Sequence, residues 1–258
     1  MYGLVGFFWG LVGILAAGIL TWVVSLVKRD VSIVDTLWAL MFLIAAVIYA
    51  LTQVDPGPRT GLVLTLVTLW AVRLSGYITW RNWGQGEDFR YREIRANNEP
   101  DFAFKSLYII FGLQAVIAWV VSLPLHAAIT SQAGINIFDY LGVFLWAVGM
   151  IFETVGDFQL ARFKARPANR GQVLNTGLWR YTRHPNYFGD ACVWWGFFMI
   201  GFAAGGWWTI VSPIVMTLML LKVSGVALLE RDIDERRPAY REYIERTNAF
   251  VPGPQRTA

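Results

Sequence analysis

Cysteine, histidine and charge are the scarce residues of this chain. One cysteine, Cys192, stands among 258 residues, so no internal disulfide can form and redox chemistry through a cysteine pair is excluded. The two histidines, His126 and His184, fall short of the clusters that hold zinc, and no metal site is expected. His126 lies beside Pro124 and reads as a packed or interfacial residue. Charged residues make up 16% of the sequence against 56% hydrophobic, and mean hydropathy is +0.46. A soluble domain of this length would be left with too little polar surface to cover its core. Gly84-Gln85-Gly86 lacks the third glycine and the preceding strand of a dinucleotide fingerprint. The net charge of +4 does not point to nucleic acid, because the basic residues lie in loops between apolar runs.

Aromatic residues and long apolar runs are abundant. Thirteen Trp and ten Tyr suit a protein with two water–lipid interfaces, where amphipathic rings settle at headgroup level. Crossing the hydrocarbon takes roughly 20 apolar residues. That length predicts an all-α integral membrane bundle of seven transmembrane helices, near 4–27, 32–52, 61–80, 105–129, 137–160, 187–204 and 206–229. Gly205-Gly206 separates the last two as a tight hairpin or one bent pair. The first run closes on Lys28-Arg29-Asp30 without a small-residue cleavage site, so no cleavable signal is expected. Arg and Lys crowd the segments after spans 1, 3, 5 and 7, whereas those after spans 2, 4 and 6 offer only Arg59. The positive-inside rule then places the amino terminus outside and the carboxyl terminus in the cytoplasm. Neither repeat nor low-complexity linker divides residues 1–258, which read as a single domain.

Charged groups inside a span cost roughly 2.5–3.5 kcal/mol each at the helix centre and mark function by default. Asp35 lies one turn into span 2. Arg73 and Tyr77 share a face of span 3, and Glu153 and Asp157 share one of span 5. Asp190 opens span 6, and Lys222 and Glu230 lie toward the end of span 7. All fall in the expected cytoplasmic half; the alternative is a set of snorkelling or structurally paired charges. The stretch 175–190 gathers Arg180, Tyr181, Arg183, His184, Asn186 and Tyr187 ahead of Asp190. Arginine suits bidentate phosphate contacts, so this stretch reads as a pocket for a phosphorylated or carboxylated cofactor, or else as an interfacial anchor for lipid headgroups.

The block Thr176-Gly-Leu-Trp-Arg-Tyr-Thr-Arg-His-Pro-Asn-Tyr-Phe-Gly-Asp190, with Gly156-Asp-Phe-Gln-Leu-Ala-Arg-Phe-Lys164 and Pro238-Ala-Tyr-Arg-Glu-Tyr243, resembles the carboxy-terminal signature of the steroid 5α-reductase family, most closely its bacterial branch. The resemblance implies NADPH-dependent reduction of the C4–C5 double bond of 3-oxo-Δ4 steroids or related apolar enones. It also implies a monomer of the bacterial inner membrane whose active site faces the cytoplasm, with lipid and a steroid-like small molecule as its partners. Spans 1–4 would enclose the substrate, and spans 5–7 with their cytoplasmic loops would hold NADPH. Carried over by position, Asp157 and Lys164 contact the adenosine phosphate end, while Asn186 and Asp190 match an Asn and a Glu at the nicotinamide end. Arg73 and Tyr77 match an Arg and a Tyr of the third span. Glu153, Arg162, Tyr181, Arg183, His184, Tyr187, Lys222, Glu230, Arg231, Tyr240 and Tyr243 complete the implied cofactor set.

The chain departs from the animal enzymes, which polarise the ketone with a Gln-Glu pair and a Tyr. The Glu falls on Asp35, but the Gln position is Val34 and the Tyr position lies near Trp70. Hydride transfer to an enone builds charge on the ketone oxygen, which needs a donor. A protonated Asp35, backed by Tyr77, is the expected donor; the alternative pairs Asp35 structurally with Arg73. A competing reading is an S-adenosylmethionine-dependent membrane methyltransferase of the isoprenylcysteine type, whose superfamily shares Arg183-His184-Pro185. Those enzymes carry a paired Glu-Glu where this chain has Leu229-Glu230-Arg231. A transporter or scaffold is disfavoured, because no polar path reaches the outer leaflet.

Overall fold

The computed structural model describes residues 2–223, 225–230, 233 and 239–256. Among them regular structure is helical throughout, without strands. Five helices are long and apolar enough to cross a membrane: Gly3–Lys28, Ile33–Leu51, Thr60–Asn82, Phe102–Val121 and Ile137–Lys164. They coincide with the first five apolar runs. The sixth run forms a helix over Pro185–Ala203 that is not among the five. The seventh gives a shorter apolar stretch, Trp207–Val223.

The chain divides into two compact units, Met1–Ile135 with Gly201–Thr209, and Asn136–Ile200 with Ile210–Ala258. The first contains α1 (Tyr2–Lys28), α2 (Ile33–Leu51), α3 (Thr60–Asn82) and α4 (Phe89–Ala96). It continues through α5 (Phe102–Ser106), a π turn over Leu107–Gly112, α6 (Leu113–Val121) and α7 (Leu123–Thr130). The run expected to be continuous over 105–129 breaks at Ser122, because Pro124 brings no N–H and its ring obstructs the preceding turn.

Lipid tails are as apolar as Leu, so close packing rather than the hydrophobic effect must join such helices. On α1 the glycines permit it. A Cβ at Gly10 would lie 2.3 Å from Tyr49 Cε1, and one at Gly13 would lie 2.2 Å from Ile48 Cδ1. Tyr49, wholly buried, shares a 2.7 Å hydrogen bond with Ser122. His126 is bonded to the Gly3 carbonyl at 2.7 Å and packs edge-on to Tyr49, the packed histidine expected. Arg59 is fully buried and donates to the carbonyls of Ala133, Gly134 and Ala203 at 2.6, 2.8 and 3.3 Å. After Ala203 the helix ends in a Schellman motif. Gly205 adopts φ +87°, its N–H donates to Phe202 O, and that of Gly206 donates to Gly201 O.

The second unit contains α8 (Ile137–Lys164), two 3-10 turns at Pro167–Asn169 and Gly177–Arg180, and most of α9 (Pro185–Ala203). Beyond them lie α10 (Val211–Leu218), α11 (Val226–Glu230) and α12 (Tyr240–Arg246). Asn136 and Asp139 form a capping box that starts α8. α8 and α9 run antiparallel with their backbones in contact along glycines spaced by seven. A Cβ at Gly142 would lie 2.8 Å from Gly196 O, and one at Gly149 would lie 2.5 Å from Gly189 O. One at Gly156 would reach Pro185 Cγ at 3.1 Å, and one at Gly189 would meet Glu153 N at 2.5 Å.

Substituting Val at Gly149 must therefore separate the two helices. Overpacking of this kind costs about 1–3 kcal/mol, and thermal unfolding in detergent should read it as a lowered melting temperature. At Gly76 nothing lies within 4 Å of an added Cβ. Gly76→Ala should be neutral or gain up to about 1 kcal/mol of helix propensity.

Candidate functional site

The α8–α9 contact sets the first group of polar residues. Glu153 and Asp157 are one turn apart on α8, and Asn186 and Asp190 are one turn apart on α9. Glu153, Asp157 and Asp190 are buried, and Asn186 half-buried. Asn186 Nδ2 donates to Asp157 Oδ1 at 3.2 Å. That contact fixes the amide's orientation and leaves Asn186 Oδ1, buried, without a hydrogen-bond partner among the described residues. The result is a buried group of side chains rich in hydrogen-bond acceptors.

Arg183 and His184 have another task. Arg183 Nε and Nη2 form a bidentate pair with Glu230 at 2.7 and 2.8 Å, and Nη1 donates to Ile244 O and Thr247 O at 3.0 and 2.5 Å. Four of the five guanidinium N–H groups are thereby used within the protein. His184 Nε2 lies 2.9 Å from Glu230 Oε1, and its ring stacks on Tyr187. Tyr243 donates to Trp179 O, and Trp179 Nε1 to Gly156 O at 3.1 Å. Arg183, Glu230, Trp179 and Tyr243 thus fasten the tail helix α12 to the stretch 177–184. Burial pushes the Glu230 carboxyl up, but hydrogen bonds from His184 and Arg183 outweigh it and bring it down to about 2.

Of the remaining expected cofactor residues, Arg162 and Lys164 are exposed at the end of α8, and Tyr181 is exposed after the second 3-10 turn. Lys222 is exposed in a π turn over Met219–Val223. Tyr240 packs edge-on to Tyr243. Arg231 lies outside the described residues.

The first unit holds a separate network around Asp35. Its carboxylate receives Arg90 Nη2 at 2.7 Å and the Tyr91 hydroxyl at 2.5 Å, so Asp35, expected to donate, accepts on both oxygens, and its ion-pair partner is Arg90 where the alternative reading had Arg73. Asp88 caps α4 by accepting from Arg90 N and also receives Arg90 Nε, both at 3.0 Å. Glu87 receives Arg95 in bidentate fashion and the Val31 N–H at 3.0 Å. Gln114 Nε2 donates to the Tyr91 oxygen at 3.3 Å, and Tyr91 packs with Val31, Val34, Phe102, Ile110 and Phe111. Burial and then the Asp35 charge push the Tyr91 phenol well above its ordinary value, so it stays protonated. Arg73 and Tyr77 lie half-buried on α3, with Tyr77 against Trp80 and Arg81. Arg90 and Tyr91 were missed because they lie in a loop by hydropathy. The signal was an Asp88 cap opening a run with Tyr91, Ile94 and Arg95 on one helical face.

A family model described as a protein of unknown function, DUF1295, matches residues 21–247. An uncharacterised protein of Schizosaccharomyces pombe is 26% identical to the chain over 275 residues, which cover 93% of this chain and 79% of that one. No solved structure matches.

The Glu230 clasp has a definite pH dependence. A carboxyl depressed from its ordinary 4.5 to about 2 contributes stability above pH 4.5 that is lost as pH falls toward 2. The melting-temperature difference between wild type and Glu230→Gln should be full above about pH 5 and more than halved by about pH 3. A difference that stays constant down to pH 3 would contradict the clasp.

Proposed function

The chain belongs to the DUF1295 family, which is related to steroid 5α-reductase-like proteins, and on that premise we propose that it is a membrane-embedded, NADPH-dependent reductase of apolar enones. Its substrates would be 3-oxo-Δ4 steroids or compounds of that shape, reduced at the C4–C5 double bond. The observation that carries this reading is the buried, acceptor-rich group of side chains on α8 and α9. A nicotinamide carboxamide and its ribose hydroxyls are hydrogen-bond donors, and Asn186 Oδ1 is a buried acceptor awaiting one. Asp157 and Asp190 add carboxylates of the same sense, so the residues present fit the donor-bearing half of NADPH. When bound, that cofactor supplies the hydride. The proposed bundle has seven spans, with the amino terminus outside and the carboxyl terminus cytoplasmic. A reporter fused after Ala258 that read as external would overturn this orientation.

The chain's own residues must stabilise charge on the ketone oxygen as the enone becomes an enolate. Asp35 already accepts on both oxygens, so it serves better to hold a donor than to be one. Arg90 pairs with one oxygen of Asp35 and the Tyr91 hydroxyl donates to the other; on turning from Asp35 to a ketone oxygen, that hydroxyl would be the donor. Protonation of the enolate carbon by a proton drawn from water completes the addition.

Tyr91→Phe should bind NADPH as the wild type does, while single-turnover enone reduction falls by about 10²–10³, the usual loss of one such donor. Asp35→Ala should be comparably slow, and Asp35→Asn less impaired because an amide can still fix the hydroxyl. If both variants fold, bind NADPH and turn over at the wild-type rate, neither residue polarises the ketone, and Tyr77 becomes the next donor to test. A purely structural role predicts lower melting temperatures with unchanged single-turnover rates.

A further inference from the structure

NADPH, with a pyrophosphate and a 2′-phosphate on its adenosine, needs cations, and the buried carboxylates of α8 and α9 supply none. Arg183 is equally unsuited, since Glu230 and two carbonyls occupy it. A cleft of ≈ 370 Å³ lies elsewhere in the second unit, and Asn175, Thr176, Arg180, Glu242, Arg246 and Gln255 contribute to its lining. That volume falls in the range of small-molecule sites, roughly 300–1,000 Å³.

Internal bonds fix the cleft's walls. Gly177, at φ +62°, turns the chain so closely over Gln159 that a Cβ would meet its amide at 2.4 Å. Gln159 Oε1 in turn accepts from Leu178 N at 3.0 Å. Opposite, Tyr243 anchors α12 through Trp179 O, and Arg256 N donates to Arg246 O at 2.9 Å, folding the terminal segment back onto that helix. Within this frame Arg180 is exposed and, among the described residues, makes no side-chain hydrogen bond or ion pair. Arg246 has a 3.1 Å pair with Glu242 whose side chains are 47% and 68% exposed. Exposed pairs of this kind are worth about 0–1 kcal/mol, so a doubly charged phosphate can displace the carboxylate.

We propose that this cleft binds a phosphomonoester on a ligand of mononucleotide size, and that Arg180 and Arg246 read the 2′-phosphate of the adenosine half of NADPH. Thr176, Asn175 and Gln255 supply neutral donors around it. The assignment to NADPH rests on the reductase reading; the phosphate chemistry of the cleft does not.

The test uses the full-length protein in detergent and in nanodiscs, with binding of 2′,5′-ADP, 5′-AMP, NADPH and NADH followed by calorimetry. Wild type should bind 2′,5′-ADP more tightly than 5′-AMP. Arg180→Gln and Arg246→Gln should each weaken 2′,5′-ADP and NADPH about ten-fold, the loss expected for a hydrogen bond to a charged group, and change NADH by less than about two-fold. Both side chains are on the surface, so unchanged melting temperatures are expected and should be verified. Variants that bind 2′,5′-ADP as tightly as wild type overturn the proposal. So does displacement of 2′,5′-ADP by phosphatidylglycerol nanodiscs but not by phosphatidylcholine ones, which would make the cleft a headgroup site. NADPH binding that ignores both substitutions sinks the cleft and leaves the reductase reading standing. Arginine-dependent binding of 2′,5′-ADP without any binding of NADPH does the reverse.

Discussion

The backbone contact between α8 and α9 is the constraint on which the second unit depends. Gly149 and Gly189 leave no room for a Cβ on either side, and the seven-residue spacing repeats that closeness at Gly142–Gly196 and at Gly156–Pro185. Without a hydrophobic force between helices in lipid, such contact lets dispersion and short polar bonds accumulate. Its consequence is chemical. Two helices at this distance bring Asp157 and Asn186 within hydrogen-bond reach at 3.2 Å, and a wider pair would lose that bond.

Around that pair, charge is divided by task. Arg183 and Glu230 are taken up in holding α12, Arg59 in closing three carbonyls, and Arg95 with Glu87 in tying the 81–101 segment to the start of α2. Breaking a buried, hydrogen-bonded ion pair is strongly destabilising, which makes Arg183–Glu230 a structural fastening; Arg95–Glu87 is partly exposed and is worth less. Asn186, Arg180 and Tyr91 differ from them. Among the described residues Asn186 keeps an unused buried acceptor and Arg180 an unused guanidinium, and Tyr91 has a single hydroxyl shared between two neighbours. The proposed binding and catalysis fall to that second set.

Much of the architecture is legible in the chain itself. Five of the apolar runs are helices of spanning length, because length and hydropathy are local properties. Glu153, Asp157, Asn186 and Asp190 stood out as polar residues in apolar surroundings, and the glycine spacing that brings them together was visible in the same stretch without being read. Arg183 reads in the sequence as part of a cationic cluster with Arg180 and His184 suited to a phosphate, but it is held by Glu230, 47 residues away, and no local pattern shows that the two meet. The pairing of Asp35 with Arg90 and Tyr91 was hidden in the same way: 55 and 56 residues separate them, and α4 is too short and polar to register as part of a membrane protein's core.

The central claim is that the buried acceptors of α8 and α9 hold a reduced nicotinamide. Titrating NADPH into the purified wild-type protein, with tryptophan excited and nicotinamide emission recorded, tests it most directly. The account predicts saturable energy transfer that NADP⁺ reverses and S-adenosylmethionine leaves unchanged. Absence of saturable transfer, or its loss on adding S-adenosylmethionine, would contradict it.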